Sequence, residues 1–273
     1  VHNNVLNIKD DITYFTGNHK ITAGITYEYQ MADNAYMRNG TGYYRYKSVD
    51  DFINGATPEV VCLTYGYGGE KNPVARVQFH KAGAYAQDEW DVNETFKLTY
   101  GLRIDGLFFD NSDLMTNNAL KAVNYYDKNG NVRNVDTGRW PNASITFSPR
   151  IGFNWDITED KSLTLRGGTG LFSGRLPLVF FTNMPTNSGM VQYQAQLKTK
   201  NLSDAKEGEP GFGYNMSAFN GGLVVDANGK ATTQALLDKL ISMGYPADIT
   251  PETGTKPSSC AGVDPKFKMP QVW

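Results

Sequence analysis

Hydrophobic and polar residues alternate along six segments of this chain. An alternation with a period of two places successive side chains on opposite faces of a β-strand. The predicted strands cover residues 5–15, 21–30, 77–92, 96–109, 143–157 and 162–175. They are longer than most strands of soluble proteins and match the roughly 10 residues with which a tilted strand crosses a bilayer. The pattern predicts membrane-spanning strands.

The connections between these strands are of two kinds. Three are short and turn-like, at residues 16–20 (TGNHK), 93–95 (NET) and 158–161 (TEDK). The others are far longer than is usual in a compact soluble domain. Outer-membrane barrels alternate short periplasmic turns with long extracellular loops. The chain is therefore predicted to form hairpins at 5–30, 77–109 and 143–175, with extracellular loops at 31–76, 111–142 and 176–273.

A soluble β-sandwich or β-helix with one buried face would show the same alternation, but the unequal loop lengths would then need a separate explanation. The sense of the alternation also fits a barrel. Leu102 and Ile104 are predicted to face lipid, and Arg103 and Asp105 the lumen. Trp90 and the other tryptophan near a short turn, Trp155, are expected at the membrane interface.

Charged residues on the predicted lumen face are the candidate site residues. They are Glu28, Glu89, Arg103, Asp105, Arg150 and Arg166. Three roles are open: pairing across strands, contact with a plug domain, and lining of a substrate path. Pairing is favoured, because the pattern of a single strand cannot show whether the charges converge.

Composition narrows the function classes. The chain is 40% hydrophobic with a mean hydropathy of -0.45, which predicts no membrane-spanning helix. The 28 glycines and the 12% of aromatic residues favour strands and turns. The net charge is -2 and the basic residues are scattered, so a nucleic-acid partner is not expected. The three histidines form no catalytic or zinc motif, so neither enzyme activity nor a metal or cofactor is expected.

The long loops carry several local signals. Asn129-Gly130 and Asn228-Gly229 are predicted to form tight hairpin turns. Apolar residues from Thr233 onward follow helical spacing and predict a short amphipathic helix that ends near Gly244. The tyrosine- and arginine-rich segment 38–58 suits either a recognition surface or rigid packing of the loop.

Two cysteines, Cys62 and Cys260, leave two possibilities open. A single disulfide would fit an oxidising compartment, and two separate thiols fit nearly as well. The first residues show neither the basic nor the apolar part of a signal peptide, so any leader is expected upstream of Val1.

Five motifs resemble the TonB-dependent outer-membrane receptors, and more narrowly their Oar-like branch. They are GNHKITAGITYEY (17–29), YAQDEW (85–90), YGLRID (100–105), SPRIGFNWD (148–156) and LRGGTGLFSGR (165–175). The resemblance implies an all-β fold, a partial transmembrane antiparallel β-barrel with six of about 22 strands. It further implies that the plug domain and the remaining strands lie outside this sequence, and that residues 263–273 lead into a next strand.

The resemblance also implies partners and a function. The partners would be outer-membrane lipid, the protein's own plug and remaining strands, and TonB, contacted through an N-terminal region outside this sequence. The function would be uptake of a large or scarce solute across the outer membrane. The alternative is a non-transporting surface or adhesion barrel whose loops bind a protein, peptide or glycan.

Overall fold

The computed structural model describes residues 2–110, 113–174, 177–254 and 260–273. In chain order the described strands are β1 (His2–Thr16), β2 (His19–Asn34), β3 (Tyr43–Arg45), β4 (Val60–Gly66), β5 (Ala75–Asp91), β6 (Phe96–Phe109), β7 (Tyr125–Tyr126), β8 (Val132–Arg133), β9 (Ser144–Asp156), β10 (Thr164–Gly170), β11 (Phe172–Ser173), β12 (Gln192–Leu197) and β13 (Gln271–Val272). The α-helices are α1 (Val49–Ile53), α2 (Asn118–Lys121), α3 (Leu178–Thr186), α4 (Thr199–Ser203) and α5 (Thr233–Ser242), and two 3-10 turns cover Tyr67–Gly69 and Met216–Phe219.

The six predicted long strands form one antiparallel sheet in the order β1-β2-β5-β6-β9-β10. Neighbours in the sheet are neighbours in sequence, apart from the short strands inside the loops. β10 ends at Gly170, earlier than the predicted residue 175. Leu171 still donates its amide to the Pro149 carbonyl of β9, and Phe172 and Ser173 then pair with Val272 and Gln271 of β13. The predicted strand end at residue 175 lies outside the described residues. The segment that leads into a next strand thus lies beside β11.

The two faces of this sheet differ in chemistry. Ile25, Ala84, Ile104 and Phe147 lie side by side across four strands, on a face that we call the apolar face. Ile25 is 62% exposed and Ile104 39%. The opposite face, the polar face, carries charged residues such as Asp105, which is buried. Large apolar side chains exposed along a whole sheet face are typical of strands that contact lipid.

Two of the long connections fold together instead of forming separate loops. β4 belongs to the first of them and β12 to the third, and the two pair in a three-stranded sheet of order β12-β4-β3. We call residues 35–74 and 187–254 the loop unit. Its apolar core is Val61, Leu63, Tyr65, Ala195, Leu197, Leu202, Met216, Phe219, Leu236, Leu240, Met243 and Tyr245.

The local predictions for the loops are confirmed. Gly130 adopts a positive φ of 81° in the turn between β7 and β8. Gly229 has a φ of 75° and lies inside the bridge between Val225 and Ala231. α5 begins after Thr232, whose side chain accepts a hydrogen bond from the Ala235 amide.

A second core joins the loops to the sheet. Val77, Trp140, Phe181 and Met184 are buried against one another, and Phe109 packs on them. α3 supplies Phe181 and Met184 and lies over the polar face of β5. The polar face is therefore apolar at the end nearest the long loops, where α3 covers it.

Candidate functional site

The most tightly bonded charges of the polar face surround Gly83. The Arg103 guanidinium donates two hydrogen bonds to the Asp105 carboxylate, with N–O distances of 2.8 and 2.7 Å, and a third to Thr26 Oγ1 at 2.8 Å. The Asp105 side chain is only 5% exposed. Lys81 Nζ lies 3.9 Å from Asp105 Oδ1. Residues two apart in a strand share a face, which explains the contact within β6.

Tyr85 extends this cluster toward β1. Its ring centroid lies 5.8 Å from Arg103 Cζ and 5.9 Å from Lys9 Nζ, distances at which a cation is attracted to an aromatic ring. Lys9 in turn forms a 2.9 Å salt bridge with Asp11. The arrangement stabilises the wall by pairing every charge that it holds.

The other predicted site residues lie apart from this cluster. Glu89 accepts a 3.0 Å hydrogen bond from Lys20 on the neighbouring strand. The Arg150 guanidinium lies 4.7 Å from the centroid of the Phe172 ring, and Arg166 donates to Asn154 at 3.3 Å. Glu28 is opposite Lys81 in the register. These contacts support pairing along the wall, and a substrate path through these residues stays a prediction.

A small cavity separates the charged cluster from α3. Its volume is about 40 Å³, and its walls include Glu28, Lys81 and Asp105 on the sheet and Leu178 and Phe181 on α3. This is room for a few water molecules. Leu178 and Phe181 of α3 thus lie across this cavity from the charged side chains.

Three tyrosines of the loop unit form part of its packing. Tyr193 packs against Tyr65 and Tyr245, with ring centroids 5.7 and 5.9 Å apart. Tyr65 donates to the Pro246 carbonyl at 2.8 Å. Burial raises the pKa of Tyr245 to about 12, so the ring stays neutral at any physiological pH.

The tyrosine- and arginine-rich segment 38–58 divides between the two roles proposed for it. Tyr44 packs on the core of the loop unit and accepts a hydrogen bond from the Val224 amide at 3.3 Å. α1 instead exposes Val49, Phe52 and Ile53, whose exposed fractions are 73%, 50% and 71%. The first part packs, and the second offers an apolar surface.

The two cysteines are free thiols. Cys62 is buried in β4, where burial raises its pKa. Cys260 is exposed, with its sulfur 3.6 Å from the Tyr125 hydroxyl. The structure therefore contains two separate thiols and not the disulfide.

A polar cluster on the apolar face was not predicted from the sequence. Asp88 accepts hydrogen bonds from His19 at 2.7 Å and from Tyr100 at 2.9 Å, and His19 stacks on Trp90 with centroids 5.3 Å apart. Asp88 interrupts the row of apolar residues on this face of β5, and this interruption was the feature of the sequence from which the cluster could have been predicted. The cluster lies at the turn end of the strands, where Trp90 was expected at the membrane interface.

A groove of about 580 Å³ runs beside β12 in the loop unit. Its lining is mixed, with Gln194 and Gln196 on the strand and Asn201, Asp204 and Glu209 opposite. The groove was not predicted from the sequence, because β12 and α4 lie in a connection that had been predicted as one loop with a single helix.

Within residues 2–110, 113–174, 177–254 and 260–273, no group of three or more histidine, cysteine, aspartate or glutamate residues is arranged to hold a metal ion. No helix within the same ranges has the length and apolar character needed to cross a membrane.

The chain matches a model of a known protein family. The family model described as "Outer membrane beta barrel domain" matches residues 1–273. Comparisons with curated proteins and with solved structures gave no match.

Proposed function

Because this chain belongs to the outer membrane beta barrel domain family, we propose that it forms part of the wall and the extracellular loops of a TonB-dependent receptor. The receptor would take up a large or scarce solute across the outer membrane. In this proposal the apolar face contacts lipid, the polar face lines the lumen and meets a plug domain, and the strands cross the membrane several times. The long connections would lie outside the cell.

The observation that carries this proposal is the loop unit. A loop that only joins strands needs no core of its own, yet Leu63, Leu197 and Leu240, from two distant connections, are fully buried together. Such a core holds a surface rigid at the mouth of the barrel, and rigidity before binding favours recognition of a ligand. The five motifs that resemble TonB-dependent receptors lie mainly on the six long strands, and they are the reason for proposing this class of receptor.

The test uses the full-length protein and the purified C-terminal periplasmic domain of TonB. We expect the detergent-solubilised protein to retain this domain in a pull-down, and a variant without its N-terminal plug region to lose it. A full-length protein that does not bind TonB, or that has no plug region, would overturn the proposal.

The second candidate is a non-transporting adhesion barrel, and the exposed apolar residues of α1 favour it. Exposed apolar patches often mark contacts with other proteins. A Phe52→Ser variant that abolishes cell adhesion, in a protein that does not bind TonB, would support this candidate over transport.

A further inference from the structure

β12 is an edge strand. It pairs with β4 on one side, and no described strand pairs with it on the other. Natural proteins usually protect such an edge with proline, charged side chains or a covering segment. The sequence of β12, QYQAQL, has neither a proline nor a charged residue.

Two hydrogen bonds show which backbone groups of β12 point outward. The Gln196 carbonyl accepts from the side chain of Asn201 at 2.6 Å, so it points away from β4. Thr64, which pairs with Gln194, donates its amide to the Asn39 carbonyl on the β3 side of the sheet. Two facing residues of an antiparallel pair point their backbone groups either toward each other or away from each other. The backbone N–H and C=O of Gln194 therefore also point away from β4.

Alternation along the strand extends this result to Gln192. The N–H and C=O groups of Gln192 and Gln194 have no hydrogen-bond partner in the described part of the chain. A strand laid along this edge would meet four backbone groups in the spacing of an antiparallel or parallel ladder. At Gln196 the outward carbonyl already accepts the hydrogen bond from Asn201, so the free part of the edge ends there.

The groove beside this edge has room and polarity for such a strand. Its volume is about 580 Å³, and its far wall contributes Lys200, Asp204 and Glu209, which give the lining one net negative charge. The exposed side chains of Gln194 and Gln196 offer both donors and acceptors. A groove with an acidic far wall favours basic side chains over acidic ones.

We propose that the β12 groove binds an extended peptide segment with basic side chains, which adds a strand to the loop unit. Main-chain hydrogen bonds supply affinity in this mode of recognition, and the side chains beside the edge supply selectivity. The proposal names the ligand class for the recognition surface of the proposed function, and it depends on that function only for the location of the loop unit outside the cell.

The first test is fluorescence anisotropy on the full-length protein in detergent. The probe is the labelled peptide TKVTVKT, and the comparison peptide has the same sequence with every backbone amide N-methylated. N-methylation removes the donors and blocks strand addition while it retains every side chain. We expect saturable binding of TKVTVKT and at least tenfold weaker binding of the methylated peptide. Equal binding of the two peptides, or no binding of either, would overturn the proposal.

The second test is a pair of substitutions at one position. Gln194→Pro removes only an outward N–H, so the β12–β4 ladder stays intact, as edge strands tolerate proline in this position. We expect about tenfold weaker binding of TKVTVKT. Gln194→Thr keeps the N–H and changes only the exposed side chain, so it should weaken binding of TKVTVKT far less than Gln194→Pro does. Equal resistance of both variants to trypsin within 187–254 confirms that the loop unit is folded.

The remaining outcomes are also decisive. If Gln194→Thr weakens binding as much as Gln194→Pro, the side chain and not the strand edge binds the peptide, and the proposal is wrong. If the protein dimerises and Gln194→Pro makes it monomeric, the edge serves a second copy instead. Retention by TonB is measured on the same variants, so failure of peptide binding is separate from failure of the proposed transport role.

Discussion

Gly83 lies beneath the Arg103–Asp105 ion pair at a point where a side chain has no space. A Cβ atom at this position would be 2.6 Å from Asp105 Oδ1 and 2.7 Å from both Arg103 Nη2 and Thr26 Oγ1. We expect Gly83→Ala to destabilise the full-length protein by about 1–3 kcal/mol, because the ion pair must move. Thermal denaturation followed by gel mobility measures this. Gly152→Ala is the matched control, since its Cβ would meet only the Gly167 carbonyl at 3.5 Å.

Leu102 tests which face contacts lipid. It is 44% exposed on the apolar face, at the middle of β6. Leu102→Arg should lower the free energy of unfolding of the protein in lipid vesicles by about 2–4 kcal/mol, the cost of arginine at the bilayer midplane. Urea titration measures this free energy.

The control for Leu102→Arg must respect the ion pair next to it. Arg103→Leu alone would leave the buried Asp105 carboxylate without its main partner, which is strongly destabilising. The double variant Arg103→Leu/Asp105→Asn removes both charges and should cost less than Leu102→Arg. Equal costs would contradict the assignment of the faces.

The stability of the β7–β8 turn is expected to depend on pH through the carboxyl group of Asp127. The Asn131 side chain, then the amides of Asn131 and Asn129, lower the pKa of its carboxyl to about 2. Because the pKa is depressed in the folded state, the stabilisation is complete above an unfolded pKa of about 3.9 and is lost as pH falls through about 2. We expect hydrogen exchange in residues 124–134, corrected for intrinsic rates, to accelerate between those values. Asp127→Asn should show no such step.

At the scale of elements, α5 and β4 hold the loop unit together through their buried leucines. Leu240 is 0% exposed in α5, whereas the adjacent Ile241 is 39% exposed. Leu240→Ala should destabilise the loop unit by about 2–5 kcal/mol, through lost burial and the cavity left behind. Limited proteolysis would show faster cleavage within 187–254. Ile241→Ala should have little effect, and neither variant should change the heat-modifiable mobility of the barrel.

Some elements were predicted from the sequence and others were missed. The long strands and α5 were predicted because each has a regular period of its own. β4 was missed because VVCLTYG is a short, mostly apolar run without a period, and because its partner β12 lies more than a hundred residues away in the chain. α3 was missed for a related reason: LVFFTNMPT has no clear helical period, since Val179 and Phe180 are apolar yet exposed, whereas Phe181 and Met184 pack in the second core.

For the whole molecule, membrane topology is the main untested prediction. Single cysteines at Asn129 and Asn228 should be labelled from outside intact cells, whereas one at Glu94 should not. Glu94 is preferred to Asn93, whose side chain accepts hydrogen bonds from the Thr95 and Phe96 amides in its turn. Every variant needs the Cys260→Ser background, because Cys260 is exposed. Labelling of Glu94→Cys without Asn129→Cys would reverse the topology.

The candidate site residues were found from alternation, but their partners were not. Alternation along β6 places Arg103 and Asp105 on one face, so their proximity follows from sequence. That Thr26 and Gly83 complete the same cluster depends on the register of β2, β5 and β6. No single strand contains this information.

The sequence by itself determined the six long strands, their pairing within each of the three hairpins, the two faces of the sheet and the local turns, because all of these follow from contacts between residues near one another in the chain. Only the tertiary structure decided that two distant loops share one core, that α3 covers the polar face, and that the edge of β12 is open. Those features depend on which apolar surfaces meet after the strands have paired. A one-dimensional pattern records that such surfaces exist, but not which of them meet.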